Sequence, residues 1–161
     1  MRKLLTILVL TASIGVASSV CAQDFEKGRS AEAIGEHELA LKEFRFLAER
    51  GHAEAQNKVG SYYDLGLGVI QNYKEAVTWY RKSSEQGDAF AQYNLGIMYV
   101  NGRGVPQDNI YAHMWFNISE SVRHSYAATS RDAVAKKMTA ADVSKAQELA
   151  RECVKKQYKG C

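Results

Sequence analysis

The feature that most constrains this chain is a pattern that occurs twice between Gly51 and Val122, at a spacing of 36 residues. Glycines, glutamines, tyrosines and a tryptophan of the first copy recur at matching positions of the second copy. The paired positions include Gly51 and Gly87, Gln56 and Gln92, Gly60 and Gly96, Tyr63 and Tyr99, Gly66 and Gly102, and Trp79 and Trp115. A fixed period of this size is typical of repeat proteins, in which each unit buries its apolar face only against neighbouring units.

Each copy predicts a helix, a turn and a second helix. From Ala53 to Leu65, small and apolar residues recur at the three- and four-residue spacing of one helix face. Gly66 and Gly102 predict the end of each first helix, because glycine accepts a left-handed backbone without steric cost.

Two polar residues predict the start of the second helices. Asn72 and Asp108 follow the glycine turns, and both side chains can accept hydrogen bonds from the first backbone N–H groups of a helix. Glu75, three residues after Asn72, extends this to the pattern of a capping box. Gly60 and Gly96 fall inside the first helices, where glycine costs about 1 kcal/mol relative to alanine. Their recurrence predicts that another backbone passes close by.

The two copies resemble the Sel1-like repeat, a relative of the tetratricopeptide repeat. The resemblance rests on the motif Ala-Gln-x-x-Val/Leu-Gly-x-x-Tyr-x-x-Gly-x-Gly-Val, followed by Ala-x-x-Trp and an aromatic residue. It implies an all-α fold, a right-handed α/α solenoid of helix-turn-helix repeats with N- and C-terminal capping helices. Polar Ser83 and Ser84 depart from the pattern, because such repeats usually carry alanines there.

The resemblance also implies a non-catalytic scaffold or adaptor that binds a protein or peptide and needs no cofactor. The main alternative is a β-lactam-binding or β-lactamase-like hydrolase, an activity associated with cysteine-rich relatives in the family. Those relatives carry a cysteine pair in each repeat, whereas residues 51–122 contain no cysteine. Turnover of nitrocefin by the purified protein separates these two classes.

The sequence around the repeats predicts further helices. Residues 24–50 predict a helix pair with its turn at residues 35–37, and residues 125–137 and 140–156 predict two more helices. Thr139 and Asp142 are placed to form a capping box at the start of the last one. The predicted organisation is a cleaved signal peptide at residues 1–22, an N-terminal partial repeat or cap at 23–50, full repeats at 51–86 and 87–122, and C-terminal capping helices at 123–161.

The first 22 residues have the layout of a secretory signal. Arg2 and Lys3 precede an apolar run, and the small residues Val20 and Ala22 precede a cleavage position at Gln23. A membrane anchor is less favoured, because the apolar run is short and interrupted, whereas a span needs about 20 mainly apolar residues. Lipidation of Cys21 is the other alternative. The sequence therefore predicts an exported protein, periplasmic or secreted, without a stable membrane anchor.

The charge of the exported chain is nearly balanced. Removal of residues 1–22 leaves 19 of the 21 basic residues against 18 acidic ones, a net charge of +1. This balance does not favour nucleic acid as a partner. From Arg131 onward basic residues outnumber acidic ones, which allows contact with an acidic partner or a membrane surface, although a solvated helix face is the favoured interpretation.

Two cysteines remain after cleavage, Cys153 and Cys161. A disulfide needs Cα atoms within about 7 Å, whereas eight residues of continuous helix span about 12 Å. The chain would therefore have to turn back, which Gly160 permits. A disulfide, two free thiols and an intermolecular link all remain open. The histidines have no metal-binding spacing, and the Gly-x-Gly segments follow helices rather than strands, so no metal or cofactor site is predicted.

The candidate partner-binding residues lie on the outer face of the two first helices. In related solenoids the first helices line the concave side, so the resemblance implies that these residues share one groove. The residues are Asn57, Lys58 and Ser61, with Glu54 beside them, and Phe90, Tyr93, Asn94 and Ile97 one repeat later. Tyr93 and Asn94 are the favoured anchors, since an aromatic ring with a polar tip beside an amide suits peptide binding. Phe90, Tyr93 and Ile97 could instead pack on the following unit.

We expect residues 1–22 to be absent from the mature protein, because of the charged start, the apolar run and the small residues at the predicted cleavage site. Intact-mass measurement of the exported protein tests this. A species that retains Met1, or that carries a diacylglyceryl group on Cys21, would contradict the prediction.

Overall fold

The computed structural model of the protein describes residues 24–122 and 125–161, so the predicted signal peptide and Cys21 lie outside the described residues. Within these ranges the chain forms eight helices and no strand. The helices are α1 (residues 24–33), α2 (His37–Ala48), α3 (Ala53–Leu65), α4 (Tyr73–Ser84), α5 (Ala89–Asn101), α6 (Asn109–Ser121), α7 (Ala127–Ala135) and α8 (Ala140–Lys155).

Neighbouring helices pack against each other in chain order from α2 to α6, and both α7 and α8 pack on α6. This arrangement confirms the all-α fold and the α/α solenoid. The first helices of the repeats are α3 and α5, and the second helices are α4 and α6. The two C-terminal helices cover the end of the last repeat, which would otherwise expose the apolar side of α6 to water.

The helix ends follow the predicted signals. Gly66 and Gly102 have left-handed φ values of 70° and 64° and end α3 and α5. The Asn72 side chain accepts hydrogen bonds from the backbone of residues 74 and 75 at the start of α4. Asp108 accepts equivalent bonds at the start of α6. The capping box of Thr139 and Asp142 is present at the start of α8.

The prediction for Gly60 and Gly96 was wrong about what approaches them. A Cβ atom on Gly60 would lie 2.6 Å from the ring of Tyr80, and one on Gly96 would collide with the ring of Phe116. Each glycine thus leaves room for an aromatic ring of the paired helix, and not for a backbone.

The same contact occurs in the N-terminal unit, where the sequence analysis did not find it. A Cβ atom on Gly28 would lie 2.6 Å from the ring of Phe44. Gly28 precedes Phe44 by 16 residues, whereas Gly60 precedes Tyr80 by 20. The shorter connection removes the glycine from the 36-residue register, so a fixed-period comparison cannot reveal it.

The close backbone approach occurs instead at the second glycine of each turn. A Cβ atom on Gly68 would lie 2.6 Å from the backbone nitrogen of Glu38, at the start of α2. Gly104 lies in the same way against the carbonyl of Tyr73, at the start of α4. Both glycines also have positive φ values. Each turn is therefore held against the preceding unit at a distance that only glycine permits.

Ser83, which departs from the family pattern, and Ser119, at the matching position of the second repeat, are buried and hydrogen-bonded. Ser83 Oγ donates a hydrogen bond to the carbonyl of Ala53 at 2.7 Å, and Ser119 Oγ donates to the carbonyl of Ala89 at 2.8 Å. Each bond ties the end of a second helix to the start of the first helix of the same repeat. Alanine could not make this bond between the two helices, so the polar residue has a structural reason.

Both tryptophans lie in the core, with Trp79 9% and Trp115 2% exposed. Trp79 belongs to an apolar cluster around α1, α2 and α3, and Trp115 to a larger cluster around α4, α5, α6 and α8. The ammonium group of Lys82 lies 4.1 Å from the Trp79 ring, which shields part of that ring from water.

We expect Trp115→Ala and Trp79→Ala each to lower the free energy of unfolding by about 3–5 kcal/mol through the cavity left behind. Trp115→Ala should be the more costly, because its ring is the more deeply buried. Thermal and urea unfolding test this, with Leu65→Ala as the control, since Leu65 is 63% exposed. If both tryptophan variants unfold like the parent protein, the core positions of these rings are wrong.

His113 is a buried titratable group on α6, 2% exposed. Burial lowers its pKa, the nearby Arg131 lowers it further, and Asp132 partly opposes them. Arg131 also forms an ion pair with Glu120 of α6. His113 is thus held in its neutral form. This causes no loss of stability above about pH 6.5, the pKa of histidine in the unfolded chain, because the unfolded histidine is neutral there too.

The free energy of unfolding should consequently decrease as the pH is lowered. Below about pH 6.5 the unfolded chain binds a proton at this histidine that the folded chain resists. The loss of stability should grow until the pH passes below the folded pKa. Unfolding midpoints from pH 8 to pH 5 test this against His113→Gln, which should show a weaker decline. An equal decline in both proteins would contradict the assignment to His113.

Candidate functional site

A groove of about 710 Å³ runs along the outer face of α3. One wall is supplied by Glu32 of α1 and the other by Phe90 and Asn94 of α5, while Asn57 and Lys58 of α3 lie between them. The groove exists because α1, α3 and α5 lie side by side while their apolar faces turn toward α2, α4 and α6.

Most of the predicted partner-binding residues meet in this groove. Asn57, Lys58, Ser61, Phe90 and Asn94 all line it, as does Glu54. They come from two repeats whose first helices carry them at matching positions. The repeat pattern therefore places these side chains together although they belong to different repeats of the chain.

Tyr93 and Ile97 require a correction, because they turn away from the groove. The Tyr93 hydroxyl lies 3.2 Å from Ser130 Oγ of α7, and its ring packs on Phe116 with centroids 5.4 Å apart. Ile97 is partly buried against the larger apolar cluster. Tyr93 thus contacts a C-terminal helix, which the repeat pattern does not describe, and is a packing residue in this structure.

An amide pair lies across the middle of the groove. Asn94 Nδ2 donates a hydrogen bond to Asn57 Oδ1 at 3.0 Å, which joins α5 to α3. An asparagine side chain has two N–H donors and one carbonyl acceptor. After the mutual bond, one amide still offers N–H groups and the other a carbonyl oxygen. This is the combination that a peptide group can satisfy.

An ion pair crosses the groove beside the amide pair. Lys58 Nζ lies 2.7 Å from Glu32 Oε2, and both side chains are about one-third exposed, at 31% and 32%. Glu32 has no sequence signal that would place it here, since it lies in the N-terminal unit outside the 36-residue register. Its proximity to Lys58 is known only from the packing of α1 on α3.

Tyr62 forms part of the groove floor and is 1% exposed. Burial, with a smaller contribution from the Glu32 carboxylate, raises the pKa of Tyr62 to about 12. Its hydroxyl therefore stays protonated at neutral pH. Within residues 24–122 and 125–161, this buried hydroxyl makes no hydrogen bond of good geometry.

Two large apolar side chains border the groove. Leu65 is 63% and Phe90 is 62% exposed. Leu65 lies at the end of α3 and Phe90 near the start of α5, so the groove combines central amides with apolar ends. Such a surface suits a segment that presents both backbone amides and apolar side chains.

The two C-terminal cysteines are joined in this structure. Cys153 and Cys161 form a disulfide with Cα atoms 5.7 Å apart. The chain turns back after α8 through left-handed conformations at Gln157, Tyr158 and Gly160. Cys153 is 2% exposed, so the bond anchors the chain end to the core.

Other kinds of site find little support in the part of the chain that the structure describes. There, no three histidine, cysteine or acidic side chains are grouped so as to hold a metal ion. The described helices are also too short or too polar for any of them to span a bilayer.

Comparisons with known proteins agree with the fold. Residues 53–88 and 89–119 match the Sel1 repeat. No curated protein matches the chain. A solved structure similar to this one is that of a protective antigen present in uropathogenic Escherichia coli strains, which displays an SLR fold. It is 27% identical with a TM-score of 0.80, over 86% of this chain and 31% of that protein.

A second similar structure is that of a Sel1 repeat protein from Oxalobacter formigenes. It is 33% identical with a TM-score of 0.62, over 65% of this chain and 43% of that protein. The chain thus spans less than half the length of either neighbour. These findings confirm the resemblance drawn from the sequence: this chain contains two Sel1 repeats, and its fold is that of Sel1 repeat proteins.

Proposed function

We propose that the protein is an exported, non-catalytic scaffold that binds an extended segment of another protein in the groove between α1, α3 and α5. The Sel1 repeat fold is that of a protein-interaction scaffold. The groove offers such a binding surface, and we assign it to the concave face of the solenoid.

The amide pair of Asn57 and Asn94 is the observation that carries the proposal. The two side chains come from consecutive repeats, and their remaining N–H and carbonyl groups suit the C=O and N–H of an extended backbone. Backbone groups are common to all peptides, so these amides supply affinity. Side-chain preference then comes from the apolar borders at Leu65 and Phe90.

Export is supported by two separate features. The sequence of residues 1–22 has the layout of a secretory signal. At the other end of the chain, Cys153 and Cys161 form a disulfide, and disulfides persist mainly in oxidising compartments. Together they favour a periplasmic or secreted protein.

The double variant Asn57→Ala/Asn94→Ala tests the groove. Loss of two hydrogen bonds to the ligand, at about 0.5–1.5 kcal/mol each, should weaken binding roughly 5- to 150-fold. Its melting temperature should change little, because removing both partners of the mutual bond leaves neither amide unsatisfied. Immobilised mature protein is used to capture partners from the native cell envelope, and the captured partner is then titrated against both proteins.

The matched control is Lys74→Ala/Thr78→Ala, which changes two exposed residues of α4. This variant should bind like the parent protein. If the groove variant captures and binds the partner as well as the parent does, the groove is not the binding site.

A further inference from the structure

The segment that follows α8 forms a closed loop. Residues 153–161, here called the C-terminal loop, are closed by the disulfide between Cys153 and Cys161. The backbone nitrogen of Tyr158 donates to the carbonyl of Cys153 at 2.9 Å, which folds the loop back over the end of the helix.

This loop contacts a turn that lies far away in sequence. The ring of Tyr158 lies over Gly87 in the turn between α4 and α5, where a Cβ atom would be 3.3 Å from the ring. Lys159 Nζ lies 3.9 Å from Glu85 Oε2 in the same turn. Tyr158 is partly buried against the larger apolar cluster. The loop therefore joins the C-terminal cap to the junction between the two repeats.

The equivalent turn one repeat earlier has no such cover. Gly51 occupies the position of Gly87, with φ values of 91° and 87°. Within the described residues, nothing lies within 4 Å of the Cβ position of Gly51. The two turns have the same backbone form, so the contact with Tyr158 is an addition of this chain and not a requirement of the repeat.

The conformation of the loop depends on its closure. Gln157 and Tyr158 have φ values of 52° and 65°. This left-handed region is energetically unfavourable for residues that have a side chain. Two consecutive residues persist there when the surrounding structure holds them. Here the disulfide and the packing of the Tyr158 ring keep both residues in the left-handed conformation.

We propose that the disulfide is a redox-controlled latch, which holds Tyr158 on the α4–α5 turn when oxidised and releases it when reduced. The thiolate of an external dithiol attacks Cys161 Sγ, the more exposed sulfur. The Sγ–Sγ bond breaks and Cys153 leaves as a thiolate that takes up a proton. The second thiol of the dithiol then displaces Cys161 as a thiol, and the dithiol becomes a disulfide. Two electrons and two protons pass to the protein.

The latch acts at the edge of the groove. Gly87 directly precedes Asp88, whose side chain accepts a hydrogen bond from the backbone of Ala91 and caps α5. Asp88 and Phe90 both line the groove. Oxidation thus fixes the start of the helix that forms one wall. Any effect of oxidation on the affinity of the groove for a ligand rests on the proposed function, whereas the latch itself does not.

Hydrogen exchange of the full mature chain tests the latch without a ligand. The amides of residues 86–88 are followed in the oxidised protein and after reduction by dithiothreitol. We expect reduction to speed their exchange at least about fivefold, because the turn loses its cover. The matched amides of residues 50–52, in the turn whose glycine no ring covers, should not change. Equal acceleration of both turns, or no change in either, would overturn the proposal.

Tyr158→Ala tests whether the turn is held by the ring of Tyr158 or by the disulfide alone. In this variant the disulfide remains, as intact mass verifies, yet residues 86–88 should exchange as fast as in the reduced parent protein. Cys161→Ser, which cannot form the bond, should give the same exchange. If oxidised Tyr158→Ala protects the turn like the oxidised parent, the ring does not hold the turn and the proposal fails.

Discussion

The contact between a glycine in one helix and an aromatic ring in its partner sets the geometry of this solenoid. Among the residues that the structure describes it occurs three times, as Gly28 with Phe44, Gly60 with Tyr80, and Gly96 with Phe116. A ring seated at a missing side chain fixes how closely two helices approach and how far one is rotated about its axis. That rotation decides which residues of α3 and α5 are left facing outward. The groove is therefore a consequence of core packing.

The repeat period was sufficient to predict the fold and much of the groove. It places Asn57 and Asn94 on the same face of successive helices, and the glycine and asparagine signals define where the helices begin and end. Within a repeat, each position sees nearly the same neighbours, so one rule applies to both copies. The prediction succeeded where successive units are arranged in the same order and make the same contacts.

The errors lie where that order ends. Tyr93 meets α7, a helix with no counterpart in the first repeat, Ile97 packs on the larger apolar cluster, and Glu32 lies in a unit with a shorter turn. Gly60 was misjudged for another reason: a glycine in a helix signals close approach, but the sequence does not say whether a ring or a backbone approaches. Contacts between unlike units depend on three-dimensional packing, which a period of 36 residues cannot express.

The contact between Tyr158 and Gly87, which are far apart in sequence, bears on the order in which the chain folds. The bonds within and between the repeats join residues 30 to 37 positions apart, such as Ser83 with Ala53 and Asn94 with Asn57. Closing these loops costs somewhat less chain entropy than closing the longer loop to Tyr158. The contact of Tyr158 with Gly87 spans most of the second repeat and the C-terminal cap, and its disulfide cannot close before Cys161 has been synthesised. Formation of the disulfide therefore comes late, after both repeats and the helices that cover them have been synthesised.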